Sequence, residues 1–560
     1  MSERLRGVAA APGAALAPPW RYRPPSAGRV VRHGLDEAAA LAAGELERLA
    51  SALRLAGNQP EAEILEAQAL MAADETLLAD ARGRVAAGGF VADAVVQAGE
   101  QIAQGLAALD DELLAARAAD VRDVARRIAR IAVGAEAPRL ARRSIAIADD
   151  LPPSITAELQ RDLLAGIALE AGSRTAHAAI LARALRIPAV VGIPGLLERA
   201  TAARLVAVDG DAGELIIDPG PDERAAVESL AADAARRAAD DAALATQPLK
   251  TRDGHRLTLG ANIGRQNEAA PALAAGAEGV GLFRTEFMFM GRSRAPDEGE
   301  QAGAYTTVLE TFGERPVVFR LIDLGGDKDL PYLPVGHEAN PFLGVRAIRL
   351  ARQDPELVLT QLRAILRAGR STRTVPWVMA PMVADEDDVQ LLHELVDRAA
   401  DAVPDAPAAR RGIMVEIPSA VTLADDLARR VDFMSIGTND LTQYLLAADR
   451  TNPALADQQD ALHPAVIRSI GRVVEAARAA GIPVAVCGEL GGDPAGAVVL
   501  AGLGVEELSM EPGSFGGVKR ALATVTLDQA RDLAIAAAHA PDARAARRLA
   551  DELLQASAAE

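Results

Sequence analysis

The sequence predicts a multidomain α/β chain, in which a β/α domain interrupted by an all-helical insert precedes a (β/α)8 TIM barrel. Three observations carry this. The 560 residues are enough for roughly three to four domains. Between Asp36 and Arg143 apolar residues recur at helical spacing with hardly a strand-like run, whereas short β-type runs punctuated by Pro and Gly lie on both sides. Beyond residue 250, eight short apolar runs alternate with helical patterns, the repeat of a β/α barrel.

In chain order, residues 5–10 read as the opening strand. Leu65, Ala69 and Leu70, and later Val121, Val124 and Ile128, sit at helical spacing, so residues 33–143 are expected to form an inserted module of several helices. The β pattern resumes at 144–148, 166–169, 189–191, 205–208 and 215–217, which assigns 1–32 and 144–220 to one domain. Residues 221–247 are rich in Ala, Asp and Arg and free of turn signals, and 221–250 is expected to be a connecting helix. The barrel, 251–560, takes its strands from 257–262, 280–283, 317–321, 375–379, 413–415, 433–436, 484–486 and 507–510. Barrel enzymes collect their chemistry at the C-terminal ends of the strands. There the sequence places Arg284, Arg320, Asp323, Glu416, Asn439, Asp440, Cys487 and Glu489.

Half the residues are hydrophobic, 24% are charged and 3% are aromatic, a globular composition whose cores must be filled by Leu, Val, Ile and Ala. Lys+Arg 59 against Asp+Glu 78 gives a net charge of −19. Such a field repels a polyanion, so nucleic acid is not an expected partner, and any phosphate-bearing substrate needs a local basic pocket. The one cysteine, Cys487, excludes an internal disulfide and a cysteine-based zinc site and fits a reducing cytoplasm. The stretch 480–510 is cut by Glu489, Asp493, Glu506 and Glu507, so no membrane insertion is expected. Residues 7–19 are broken by Pro12, Gly13 and Pro18 and read as mature chain, not signal peptide.

Four motifs carry chemistry. In Ala171-Gly-Ser-Arg-Thr-Ala-His177 a strand end, a small turn and a helix start place His177 in a first helical turn, where free N–H groups favour an anion such as a phosphorylated imidazole. Arg284 and Arg320 leave neighbouring strands, and their planar forks can clamp phosphate or carboxylate; the alternative is structural pairing with Glu286 and Asp323. Glu416 and Asp440 at successive strand ends suit Mg²⁺, with Gly437 allowing close backbone approach and Arg450 nearby. Cys487 is by default inert packing, yet its strand-end position would let a thiol deliver a proton to the carbon of an enolate.

Together with Gly7-Val-Ala-Ala-Ala-Pro-Gly13, Gly279 to Phe287, Asn340-Pro-Phe-Leu-Gly-Val-Arg346, Ser435 to Tyr444 and Val486 to Leu490, these strings resemble, in order and along essentially the whole chain, the phosphoenolpyruvate-protein phosphotransferases, the enzyme I family of the bacterial sugar phosphotransferase system. The resemblance implies a swivelling phosphohistidine domain, whose all-helical insert binds the carrier protein HPr, and a C-terminal TIM barrel that binds phosphoenolpyruvate and forms a homodimer. It implies that His177 accepts the phosphoryl group through Nε2, with enolpyruvate leaving, and passes it to HPr. Arg284, Arg320 and Arg450 would hold phosphate and carboxylate, and Asn439 and the Asp440 backbone would contact the phosphate. Glu416 and Asp440 would bind Mg²⁺, and Cys487 would protonate enolpyruvate. Lys328 and Arg346 match further substrate-site positions. Because His177 lies outside the barrel, a rigid-body swing about 221–250 is expected.

Some positions depart from the family's usual pattern. Ser173 stands for Gly, Ala176 for Ser and Leu321 for Thr; Leu65 and Gln68, in the insert, stand for Phe and His and bear on the identity of the carrier. Two other readings compete. A phosphoenolpyruvate synthase or pyruvate phosphate dikinase needs a nucleotide-grasping domain, for which residues 1–32 leave no room, and no P-loop is present. A non-catalytic regulatory homologue is expected to have lost at least one of His177, Glu416, Asp440, Cys487 and the arginines.

Overall fold

The computed structural model describes all residues except 1, 23–30, 56–58, 108–111, 161, 173–178, 180–181, 183–186, 245–246, 291, 293, 326–331, 333–337, 339, 451, 453–454, 456–457 and 560. The chain divides into two compact units, Met1–Arg237 and Ala238–Glu560.

In the first unit, strands β1 (Glu3–Arg6), β2 (Val8–Ala11), β3 (Ala14–Ala17) and β4 (Pro19–Arg21) precede helices α1 (Leu35–Leu55), α2 (Gln59–Ala72), α3 (Glu75–Ala86), α4 (Val91–Ala107) and α5 (Glu112–Ala132). Strands β5 (Ser144–Ala148), β6 (Leu164–Leu169), β7 (Ala189–Val191), β8 (Val206–Asp209) and β9 (Glu214–Ile217) follow. They form two sheets, a four-stranded one in the order β1-β9-β8-β3 and a five-stranded one in the order β2-β7-β6-β5-β4. The first is antiparallel; the second is parallel except where β2 runs against β7.

Every residue of β5 and β6 is buried, because the central sheet is covered on both faces. Ile145, Ile147 and Ala168 pack with Val206, Val208 and Leu215 of the other sheet. Ala146, Ala148, Ile167 and Leu169 point the opposite way, onto Leu151, Ile155 and Ile187. The stretch 5–10, expected as one strand, is two strands in different sheets. At Gly7 the chain crosses between them: its N–H donates to the Gly213 carbonyl at 2.9 Å, and a Cβ there would lie 2.5 Å from the Val191 carbonyl oxygen. The strands 14–17 and 19–21 escaped sequence reading because Pro12, Gly13 and Pro18 interrupt the pattern.

The inserted helices enclose their own core, including Leu46, Leu65, Val95 and Ile128. A buried polar seam crosses it. Gln68 Nε2 donates to Asp120 Oδ1 at 3.0 Å and to Asp123 Oδ2 at 3.3 Å. Arg127 pairs with Glu45 at 2.8 Å and with Glu158 at 2.6 Å, tying the insert to the β/α part. Leu65 and Gln68 are both fully interior, so these two positions shape the insert through its packing and not through its surface. A helix, Pro221–Leu244, runs through the point at which the two units divide.

The second unit is a closed barrel of eight strands, β10 (Thr258–Ile263), β11 (Gly279–Phe283), β12 (Val317–Arg320), β13 (Trp377–Ala380), β14 (Arg410–Val415), β15 (Phe433–Ile436), β16 (Val484–Val486) and β17 (Glu507–Met510). Each pairs in parallel with its neighbours, and β17 closes on β10. The run expected from 375 starts at Trp377, since Pro376 lacks an N–H for the ladder. Alternation along the strands sorts the side chains. Leu282, Val318, Met379, Met414 and Phe433 fill the inside with Cys487. Phe283 and Phe319 point outward, where Tyr305 meets them with ring centroids 5.8 and 5.1 Å away. Among the described residues no helix is long and apolar enough to cross a membrane.

Phe319→Ala empties the centre of the aromatic cluster and should destabilise the barrel by about 3–5 kcal/mol in a guanidinium titration; a loss under about 1 kcal/mol would contradict the assigned packing. Burial pushes the Asp123 carboxyl up from 3.8 to about 6. Its contribution to stability is therefore fully present below about 3.8 and is lost as pH rises through about 6. Asp123→Asn keeps an acceptor oxygen and should melt higher than the parent at pH 7 but not at pH 4; equal gains at both would refute the assignment.

Candidate active site

A closed parallel barrel delivers all its strand ends to one face. Arg284 directly follows β11, Arg320 ends β12, Glu416 follows β14, and Cys487 follows β16. Asn439 and Asp440 lie in the first turn of the helix Thr438–Leu446 that follows β15. Arg346 stands just before the helix Ile348–Gln353.

The arginines and carboxylates interlock. Arg320 pairs with Glu286 through Nη2 and reaches Asp323 through Nη1 at 3.2 Å. Arg346 grips Asp323 with both prongs, Nε to Oδ1 at 3.1 Å and Nη2 to Oδ2 at 2.9 Å, and touches Asp440 Oδ2 at 3.4 Å. Its third nitrogen donates to the Tyr444 hydroxyl at 3.3 Å, and that hydroxyl donates to the Phe342 carbonyl at 2.6 Å. Arg450 approaches Asp440 Oδ1 at 3.8 Å, while its backbone N–H is held by Gln443 Oε1 at 2.9 Å. Arg284 stands apart from this chain of contacts and meets Glu511 at 3.1 Å. The pairing left open by sequence thus holds for Arg320 with both Glu286 and Asp323, whereas Arg284 pairs with Glu511.

These pairs do not exhaust the cluster. Arg320 Nε and Asp440 Oδ1 are buried without a hydrogen-bond partner. Burial opposes the charges of Arg320 and Arg346, but the surrounding carboxylates more than offset it, so both guanidiniums stay protonated. Burial raises the pKa of Glu416, and the neighbouring charges of Asp440 and Asp323 push it further up. One Glu416 oxygen accepts from the Met382 N–H at 2.7 Å. A Cβ at Gly437 would stand 2.7 Å from the other, so the glycine keeps that oxygen clear. Two buried hard-oxygen donors that repel one another, one with an unsatisfied oxygen, fit Mg²⁺. With two protein carboxylates as donors, water and substrate oxygens would complete the shell.

Cys487 is buried in the barrel interior, with Sγ 3.7 Å from the Ile436 carbonyl. Burial pushes its thiol up to about 11, which keeps it in the proton-bearing form an acid needs. Asn439 pairs with Glu489, two residues beyond Cys487, at 3.0 Å. The structure therefore brings together Arg320, Arg346, Glu416, Asp440 and Arg450. It sets Asn439 and Cys487 after the neighbouring strands β15 and β16, and Arg284 after β11. His177 and Lys328 lie outside the described residues. Sequence reasoning gave no role to Tyr444, Gln443 or Glu511; the first two lie within or beside the quoted 435–444 string, but only the fold shows what they hold.

Comparison with known proteins bears on the domains and the family. The family described as PEP-utilising enzyme, PEP-binding domain, matches residues 238–527. Its mobile domain matches 140–213 and its N-terminal domain 6–117. A phosphoenolpyruvate-protein phosphotransferase of Streptomyces coelicolor is 44% identical over 505 residues, covering 89% of this chain and 88% of that protein. One of Bacillus subtilis is 39% identical over 535 residues, covering 92% and 93%. A multiphosphoryl transfer protein of Xanthomonas campestris is 43% identical over 479 residues, which are 85% of this chain; the match spans only 57% of that longer protein. On its matched domains, and on relatives of which it covers 88% and 93%, the chain belongs to the PEP-utilising enzyme family, among the phosphoenolpyruvate-protein phosphotransferases.

Proposed function

We propose that this chain transfers the phosphoryl group of phosphoenolpyruvate to its own His177 and then to a histidine of HPr, releasing pyruvate, as the first step of the sugar phosphotransferase system. The observation that carries the reading is the strand-end cluster in which Arg320, Arg346 and Arg450 stand among Asp323, Glu416 and Asp440. It offers fixed cations for a phosphate and a carboxylate, and buried oxygens for a metal, on the face where barrel enzymes work.

In this reading Arg284, Arg320 and Arg450 hold the phosphate and carboxylate of phosphoenolpyruvate, Asn439 and the Asp440 N–H contact the phosphate, and Lys328 and Arg346 belong to the same site. His177 Nε2 attacks phosphorus; the P–N bond forms as the bridging P–O bond breaks, and enolpyruvate leaves. The Cys487 thiol gives its proton to the methylene carbon, yielding pyruvate, and the thiolate regains a proton from solvent. Mg²⁺, held by Glu416 and Asp440, supplies neutralisation of the phosphate charge when bound. Phosphoryl transfer depends mainly on such positioning and charge neutralisation. A swing about 221–250 would carry His177 between the barrel and the HPr-binding insert. A cytoplasmic homodimer joined through 251–560 completes the reading.

The deciding experiment is incubation of the purified chain with labelled phosphoenolpyruvate and Mg²⁺. Acid-labile phosphate should appear on His177 with one pyruvate released per phosphate bound, and turnover should continue only when HPr is added. His177→Ala and metal chelation should each abolish labelling; a requirement for nucleotide, or no label at all, would overturn the proposal. Cys487→Ala should slow enzyme-catalysed exchange of pyruvate methyl protons with D₂O by about a hundredfold or more. Exchange at the parent rate would remove Cys487 as the acid.

A further inference from the structure

We infer that Glu489 is a positioning residue that fixes which way the Asn439 side-chain amide points. The inference rests on the proposed reading of Asn439 as a phosphate contact. Asn439 lies two residues beyond Gly437, after β15, and Glu489 lies two residues beyond Cys487, after the adjacent β16. The two exchange a reciprocal pair of hydrogen bonds. Asn439 Nδ2 donates to Glu489 Oε1 at 3.0 Å, and the Glu489 backbone N–H donates to Asn439 Oδ1 at 2.9 Å.

This pair is selective. An amide has two N–H donors on one end and a carbonyl acceptor on the other. The Glu489 N–H engages the carbonyl, and the carboxylate takes one N–H, leaving one donor for a substrate oxygen. A flipped amide would set NH₂ against the Glu489 N–H and its carbonyl against the Glu489 carboxylate, so both bonds would become repulsive contacts. Glu489 therefore selects the orientation that keeps a donor available for an anion.

Gly488 allows the two loops to approach. A Cβ there would lie 2.6 Å from the Thr438 backbone nitrogen, closer than any side chain tolerates. The same short loop carries Cys487, so the proton donor and the phosphate contact are held in one frame. Glu489 is itself exposed, and an exposed carboxylate beside an anion site is electrostatically adverse. That opposition separates the two roles experimentally.

The test is steady-state kinetics of the full chain with phosphoenolpyruvate, Mg²⁺ and HPr. Glu489→Ala should raise KM for phosphoenolpyruvate about five- to tenfold, affecting KM more than kcat, whereas Glu489→Gln, which keeps a carbonyl acceptor, should stay within about twofold of the parent. Adding Glu489→Ala to Asn439→Ala should produce no further rise, because one residue acts through the other. If Glu489 matters only through its charge, both single variants will lower KM, and the inference falls. Additive effects in the double variant, or no effect of Glu489→Ala, would also overturn it. If Asn439→Ala leaves KM unchanged, the reading of Asn439 itself fails, a result distinct from failure of Glu489 alone.

Discussion

The barrel's functional face depends on the two-pronged pair between Arg346 and Asp323. Arg346 arrives from a loop and Asp323 from beyond β12, yet both are almost fully buried, and their parallel bonds fix both groups in one plane. From this pair the network extends to Arg320 on one side and to Asp440, Tyr444 and Arg450 on the other. Burying so many charges is tolerable only because nearly all of them are matched. What is left over, the repulsion around Glu416 and the Asp440 oxygen that accepts no hydrogen bond, is what a cation can relieve.

The barrel supplies the frame for this network. Outward-facing rings such as Phe283 and Phe319 anchor the strands to the surrounding helices, while a separate apolar column fills the centre beneath the site. Cys487 belongs to that column, which accounts for the high pKa of its thiol. The burial that packs the thiol also keeps it protonated.

The first unit solves a different problem. Its central sheet is covered on both faces, and Gly7 lets one stretch of chain serve two sheets. The insert is stabilised by its own apolar core, but its buried seam of Gln68, Asp120, Asp123 and Arg127 couples it to the β/α part through Glu158. Substitutions at position 68 therefore act on the join between the two parts as well as on the helices themselves.

The arrangement of elements was legible in the sequence because each barrel strand carries an apolar run between breakers, and alternation of period two survives without tertiary context. The strand-end residues were legible for the same reason: once β11 to β16 are placed, Arg284, Arg320, Glu416, Asp440 and Cys487 must share a face. The strands at 14–17 and 19–21 were not legible, since alanine and proline give no period to read. Nor were the partnerships. Sequence order says nothing of how far Glu511 lies from Arg284, or Glu489 from Asn439, because those pairs are made across strands separated by tens to hundreds of residues. Sequence order alone places Arg284, Arg320, Glu416, Asp440 and Cys487 at the barrel's strand ends. Which of them bond to one another is set by the folded barrel, because its closure and the close approach permitted at Gly437 and Gly488 fix distances that no local pattern encodes.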